Sequence, residues 1–232
     1  MRSAATALAE LWSWPARPVS NDAGRAGRSA MLLSRNVAAI DASASADEQD
    51  DQALLAEVAR GDASAYRKLA DRHLAPILRY CTRMLGRVED GEDAAQETFL
   101  RVWQHAGRYE AQGSKPTTWI YRIAHNLCVD RLRRRRDHGD ADALELAATG
   151  DRPSGELYQR ELAAQLQDAL AQLPQRQRAA VVLVHHEGLS QNEAAEVLEC
   201  GAEAVESLLA RGRRSLRKVL AGAHERGIGE GT

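Results

Sequence analysis

The chain is short of aromatic side chains: its 232 residues include four Trp, five Tyr and one Phe. Packed cores must therefore come from Leu, Val, Ile and Ala, and an apolar content of 44% supplies enough of them. Cysteine is scarce too. Cys81, Cys128 and Cys200 lie 47 and 72 residues apart, which leaves no CxxC pair and no metal-ligand spacing. They are expected to be reduced, half-buried and cytoplasmic, in a chain that holds no metal and no cofactor. Long apolar runs are missing, none approaching the roughly 20 residues that cross a bilayer. The first 30 residues lack the apolar stretch of a secretory signal, so no membrane insertion is expected. Strand-like alternation is also absent. Ala and Leu are abundant and apolar residues recur at steps of three and four, which predicts an all-α fold.

A strong overall charge is lacking as well. A formal net charge of -2 argues against a uniformly basic nucleic-acid binder. The total hides a local pattern. Residues 51–137 carry 16 basic and 12 acidic side chains, and five of the eight cations after residue 160 fall between Arg211 and Lys218. Such clusters produce local fields.

Along the chain, residues 1–49 are rich in Ala, Ser, Arg and Asp without a sustained period and read as a disordered or weakly helical extension, with Met31 as an alternative start. A first helical domain spans 50–137. Its expected parts are a stripe of Leu54, Leu55 and Val58, a break at Gly61-Asp62, further apolar faces through Leu74, Ile77, Leu78 and Leu85, and a turn from Gly86 to Gly91. The acidic, small segment 138–155 reads as a flexible linker. A second helical domain spans 156–221, opening on a stripe of Leu162, Leu166, Leu170 and Leu173, and a Gly-rich, frayed tail follows over 222–232.

Three constellations stand out. In GEDAAQETFLRVW, Ala95, Phe99, Val102 and Trp103 are expected in the core, leaving Asp93, Gln96, Glu97 and Leu100 on another face. From charge pattern alone that face is either solvated or a contact for a basic helix, and the solvated reading is the simpler one. In KPTTWIYRIAHNLCVDRLRRRR, Ser114 is expected to cap and Pro116 to sit in the first turn. Trp119 lies near the helix start, with Ile120, Ile123, Leu127 and Leu132 inward and Arg122, His125, Asn126 and Arg133 to Arg136 outward. Cations among aromatics and amides suit phosphate contacts with base stacking or hydrogen bonding, against the plainer reading of a solvated Arg run.

The third constellation is a helix-turn-helix. Ser190 and Glu193 form a capping box, Ala194 and Ala195 allow close packing, and Cys200-Gly201 make the turn. In the helix that follows, Val205, Leu209, Gly212 and Leu216 are expected inside, and Glu203, Glu206, Ser207, Ala210, Arg211 and Arg214 outside. Such a helix presents its first turns to base edges and its cations to phosphates. His185, His186 and Glu187 are adjacent, cannot converge from one helical face, and read as a helix end before Gly188.

Taken in order, these blocks resemble the extracytoplasmic-function class of bacterial sigma factors, small two-domain members of the sigma-70 family. The likeness runs from about Asp51 to Leu220. It comprises EDAAQETFLRVW as region 2.2, TTWIYRIAHNLCVDRLRRRR as regions 2.3 to 2.4, LPQRQRAAVVLVHHEGLSQNEAAEVL as region 4.1 and the start of 4.2, and AVESLLARGRRSLR as the recognition helix. The resemblance implies that Asp93, Gln96, Glu97 and Leu100 dock on core RNA polymerase, which reverses the solvated reading. It implies that the loop from Tyr109 to Trp119, with Arg122 and Asn126, receives an extruded base of the promoter -10 element while Arg131, Arg133, Arg134, Arg135 and Arg136 hold its backbone. It implies that Glu203, Glu206, Ser207, Arg211, Arg213 and Arg214 meet the -35 element as duplex, and that the linker threads the polymerase.

A cytoplasmic, non-catalytic transcription initiation factor under anti-sigma control in a stress response is the function so implied. Three residues depart from the family pattern. Glu199 stands where Gly is usual and left-handed backbone is needed, at a cost on the order of 1 kcal/mol. Glu206 replaces an early cation and hints at an altered -35 preference through a cytosine amine. Gly212 stands where Ala is usual and should weaken its helix by about 1 kcal/mol. The alternative from another class is a stand-alone helix-turn-helix regulator, which would bind a palindromic duplex site without polymerase.

Overall fold

A computed structural model describes residues 48–109, 113–137 and 165–228. The expected extension up to residue 47, the whole expected linker 138–155 and the last residues of the tail lie outside those ranges. Among the described residues all regular structure is helical, and those from Asp51 onward belong to one compact unit.

Helix α1, residues 48–59, buries Leu54, Leu55 and Val58 as its stripe predicts. Asp51 on the same helix is buried and holds Arg72 and, at 2.6 Å, His73 of the next helix. That helix, α2 (Ala63–Leu85), is opened by Asp62, whose carboxylate accepts from Ser64 N at 2.7 Å and Ala65 N at 3.1 Å. These two backbone donors hold the Asp62 carboxyl below its ordinary pKa. Leu69, Ile77, Tyr80, Cys81, Met84 and Leu85 form its inner face, whereas Leu74 points outward and Leu78 is half-buried.

The expected turn from Gly86 to Gly91 is shorter than its glycines suggest: Gly86 ends α2, and α3 (Val88–His105) already contains Gly91. Gly91 is placed by packing. A Cβ there would stand 2.3 Å from Thr82 Oγ1 and 2.9 Å from its backbone N, so a side chain would push α2 and α3 apart. Helix α4 (Pro116–Asp137) completes the first bundle against α2 and α3. Pro116 is its first residue. Ser114 does not cap it, because the helix starts one residue later than that role requires and Lys115 O accepts from Trp119 N at 3.0 Å.

In the second half, residues 165–171 form α5, and α6 (Gln175–Val181) runs on as a π-helical turn, Val182–His186. Helices α7 (Gln191–Val197) and α8 (Ala202–Ile228) make the helix-turn-helix. Leu170, Leu173, Ala179, Ala180, Val181, Val182 and Leu183 build this core with Val205, Leu209 and Leu216. Leu162 lies outside the described residues. The tail expected to fray from Ala221 instead continues α8 to Ile228, despite its glycines.

Three burial expectations need correction. Trp103 is 37% exposed and packs edge-on to Tyr66 at 5.2 Å; it lies about 80° round the helix from Ala95, at the rim of the buried stripe. His125, expected outside, is 9% exposed because the second half of the chain covers another face of α4. Cys81 and Cys128 are fully buried rather than half-buried.

Candidate docking and nucleic-acid surfaces

The stripe that anchors α3 fixes what its other side can do. With Ala95, Phe99 and Val102 inside, Asp93, Gln96 and Leu100 are exposed and Glu97 is half-exposed. Together with Arg131 of α4 they line one shallow concavity. Leu100 is 48% exposed, an apolar centre in a polar rim. Glu97 accepts from Arg101 Nε at 2.9 Å, and Asp93 lies 3.8 Å from Arg131. Both pairs are exposed enough to contribute little stability, so the face can exchange them for outside partners.

A second concavity, of about 190 Å³, is lined by Arg108, Tyr109, Gly113, Ser114, Trp119 and Arg122. Tyr109 and Trp119 rings sit 5.6 Å apart at 60°, and Tyr109 OH donates to Ser114 O at 2.7 Å, closing the loop on itself. Asn126 is exposed one turn beyond Arg122 on α4. An aromatic wall with guanidinium groups at its mouth offers stacking and charge to a flat, anionic ligand.

The arginine run divides by helical period. Arg131 and Arg135, four apart, turn back to α3: Arg131 donates to Asp90 O at 3.3 Å, and Arg135 pairs with the Asp90 carboxylate and donates to Leu85 O at 3.1 Å. These two brace the bundle. Arg133, Arg134 and Arg136 are exposed. Arg133 bonds Asp130 at 3.0 Å, and Arg136 donates to Gln175 Oε1 at 2.8 Å.

In the helix-turn-helix the capping box is complete: Ser190 Oγ accepts from Glu193 N at 3.2 Å, and Glu193 Oε2 accepts from Ser190 N at 2.7 Å. The turn contains Glu199 at φ 50°, the left-handed backbone expected there. Along α8, Glu203, Glu206, Ser207, Ala210, Arg211 and Arg214 are exposed and Arg213 is half-buried. Its first two turns are thus acidic, and its cations begin at Arg211.

Sequence reasoning missed the groups that join the two halves. Arg178, only 7% exposed, donates to Met84 O at 2.7 Å and to Ala171 O; burial lowers its guanidinium pKa. Gln167 Nε2 reaches Thr82 O at 3.3 Å and Arg83 O at 3.2 Å. The Glu187 side chain, 1% exposed, meets Arg79 at 3.4 Å, Arg83 at 3.3 Å and Tyr121 OH at 3.2 Å. Burial, with Glu187 beside it, pushes the Tyr121 phenol up. One signal was legible for Glu187: a carboxylate at a helix C-terminus opposes the helix dipole and needs cations brought to it.

Known proteins resemble this chain in sequence and fold. The family descriptions Sigma-70 region 2 and Sigma-70 region 4 match residues 69–138 and 163–216. The chain is 33% identical over 175 residues to the ECF RNA polymerase sigma factor SigW of Bacillus subtilis (strain 168), covering 71% of this chain and 93% of that protein. It is 37% identical over 175 residues to the ECF RNA polymerase sigma factor SigM of Mycobacterium tuberculosis (strain ATCC 25618 / H37Rv), covering 75% and 86%. Its fold resembles CnrH, solved in complex with the cytosolic domain of CnrY, with TM-score 0.56 and 28% identity over 75% of this chain and 98% of that one. At 22% identity and TM-score 0.55 it shares its fold with the sigma factor RpoE of Bartonella quintana, solved with the anti-sigma factor NepR, over 67% of this chain and 96% of that one. With these likenesses spanning both helical halves, the chain belongs to the extracytoplasmic-function sigma factors of the sigma-70 family.

Proposed function

We propose that this sigma factor docks on core RNA polymerase through the α3 face of Asp93, Gln96, Glu97 and Leu100 and carries it to promoters that it reads with its two helical domains. Residues 50–137 act as the polymerase and -10 domain, 138–155 as linker, 156–221 as the -35 domain and 222–232 as tail. The Tyr109–Trp119 concavity takes an extruded base of the -10 element, with Arg122 and Asn126 beside it and the exposed Arg133, Arg134 and Arg136 on the adjacent phosphates. Base extrusion costs a few kcal/mol, which stacking and phosphate contacts offset. Arg211, Arg213 and Arg214 hold the -35 backbone, and Glu203, Glu206 and Ser207 face its base edges.

The observation that carries the reading is that one small helical bundle joins an exposed acid, amide and leucine face to an aromatic-walled concavity whose lining includes Arg108 and Arg122. A plain DNA-binding domain has no use for the first of these surfaces. Control by an anti-sigma protein, in a cytoplasmic stress response, fits the same reading, since the sigma factor RpoE of similar fold was solved in complex with the anti-sigma factor NepR. The test is complex formation between the purified chain and sigma-free core polymerase on size exclusion. A stoichiometric complex is expected. Its absence, with the protein folded, would favour a stand-alone helix-turn-helix regulator.

A further inference from the structure

The exposed side of α8 sorts its charges by sign. Glu203 and Glu206 lie in its first two turns, and the sequence from Ala202 to Ala210 contains no cation; Arg211, Arg214, Arg217 and Lys218 follow, all exposed. On α3 and α4, surface carboxylates are tied to a cation close by in the chain: Glu97 accepts from Arg101 at 2.9 Å, and Asp130 from Arg133 at 3.0 Å. Glu206 has no such neighbour. The positions three and four residues from it along the helix hold Ala202, Glu203, Leu209 and Ala210, and among the described residues its carboxylate meets no hydrogen-bond or ion-pair partner. Glu203 has a local reason to be acidic, because it stands in the first turn, where the helix dipole favours a negative charge. Glu206 stands one turn further on, where that effect has faded.

Within a duplex groove the neighbours that a carboxylate can accept are few. Phosphates repel it. Guanine presents the acceptors N7 and O6, and thymine presents O4 and a methyl group, so both leave it without a donor. Adenine offers its N6 amine, but between two acceptors, its own N7 and the O4 of the paired thymine. Cytosine offers its N4 amine with a plain C5–H on one side, so a carboxylate can approach it without meeting a second lone pair. The preference works by exclusion as well as attraction, because a carboxylate set against acceptors is desolvated with nothing in return.

We infer that Glu206 is a specificity residue of α8, which selects a cytosine in the upstream promoter element by accepting from its N4 amine. The inference rests on the reading above of α8 as the -35 helix, and it names what one position of that element is. Attraction to phosphate falls to the other end of the exposed side, where Arg211 and Arg214 supply the charge that the first two turns lack.

The test is selection of bound duplexes from a randomised library by the full chain, with core polymerase and without it, for wild type, Glu206→Gln and Glu206→Lys. The wild-type complex with polymerase is expected to enrich a cytosine at one position of the upstream element. Glu206→Gln should change that position to adenine, which suits an amide that donates to N7 and accepts from N6, and Glu206→Lys should change it to guanine. A second arm leaves the protein unaltered. Replacing the selected cytosine by N4-methylcytosine keeps its pairing with guanine but fills the groove-facing N–H with a methyl group, and should weaken wild-type binding by on the order of 10-fold. Glu206→Ala, which has no acceptor to lose, should bind both duplexes alike. An upstream element that is the same for wild type and both variants, or wild-type binding that ignores the methyl group, overturns the cytosine contact and leaves the sigma reading standing. Enrichment that needs no polymerase, with the base still following residue 206, overturns the sigma reading and leaves the contact standing. No enrichment of any upstream element overturns both.

Discussion

Gly212 of α8 faces Val181 of α6 so closely that a Cβ built on it would stand 2.8 Å from the valine Cγ2. In isolation a glycine there costs helix α8 about 1 kcal/mol relative to alanine. Within the fold the sign reverses, because Val181 is fully buried and has little freedom to retreat. Gly212→Ala is therefore expected to destabilise the protein by about 1–3 kcal/mol despite its better propensity. Urea unfolding measures this, and adding Val181→Ala to the variant should recover part of the loss by making room.

Glu199 gives the opposite case. Its φ of 50° and its exposed side chain make the turn before α8 a place where glycine has lower strain. Glu199→Gly is expected to stabilise by about 0.5–1 kcal/mol, the relief of left-handed strain exceeding the added unfolded-state entropy. A thermal melt that moved downward would show that the Glu199 side chain contributes more than its backbone costs.

These two residues also mark how far the sequence could be read. The helical period found Ala95, Phe99 and Val102 of the buried stripe of α3, and the S-x-x-E spacing found the capping box, because each depends on residues close in the chain; the left-handed backbone at Glu199 is expected only from the family resemblance. His125, Arg178 and Glu187 escaped because their surroundings come from residues dozens of positions away: Tyr80, Met84, Arg79 and Arg83. The arginine run was read as one surface, yet the Arg131 and Arg135 side chains, one turn apart, reach Asp90, Asp93 and Leu85 O on the neighbouring helices. Gly91 looked like a turn for want of its neighbour Thr82, which is what excludes a side chain there.

One buried and one half-buried histidine make stability depend on pH. His125 is held to about 4 by burial first and by Arg176 second, with Tyr80 OH 2.8 Å from its Nδ1. His186 is likewise held to about 4, by burial and then by Arg83 and His185. Both folded values lie below the ordinary 6.5, so the unfolded chain takes up protons that the folded chain refuses. Stability is then full above pH 6.5, falls as pH drops from there toward 4, and levels off below. The loss is on the order of 3 kcal/mol per histidine at most. His125→Phe, which also gives up the Tyr80 hydrogen bond, should flatten the slope between pH 6.5 and 4 in denaturant titrations; an unchanged slope would mean His125 is accessible to protons in the folded state.

The docking proposal is sharpest at Gln96 and Glu97. Gln96 is exposed, and Glu97, though bonded to Arg101, is open enough for that pair to be given up at little cost. Neither side chain supports the bundle, so Gln96→Ala with Glu97→Lys should leave the unfolding free energy within about 0.5 kcal/mol of wild type. A reversed charge at a surface built to meet a basic helix is expected to weaken polymerase binding by on the order of 100-fold, combining a lost hydrogen bond with like-charge repulsion. The control is Glu89→Lys, on the same helix but away from the concavity, which should bind as wild type. If the double variant binds core polymerase undiminished while Leu100→Ala does not, the face is right but its polar rim serves specificity rather than affinity; if both bind normally, the contact lies elsewhere on the bundle.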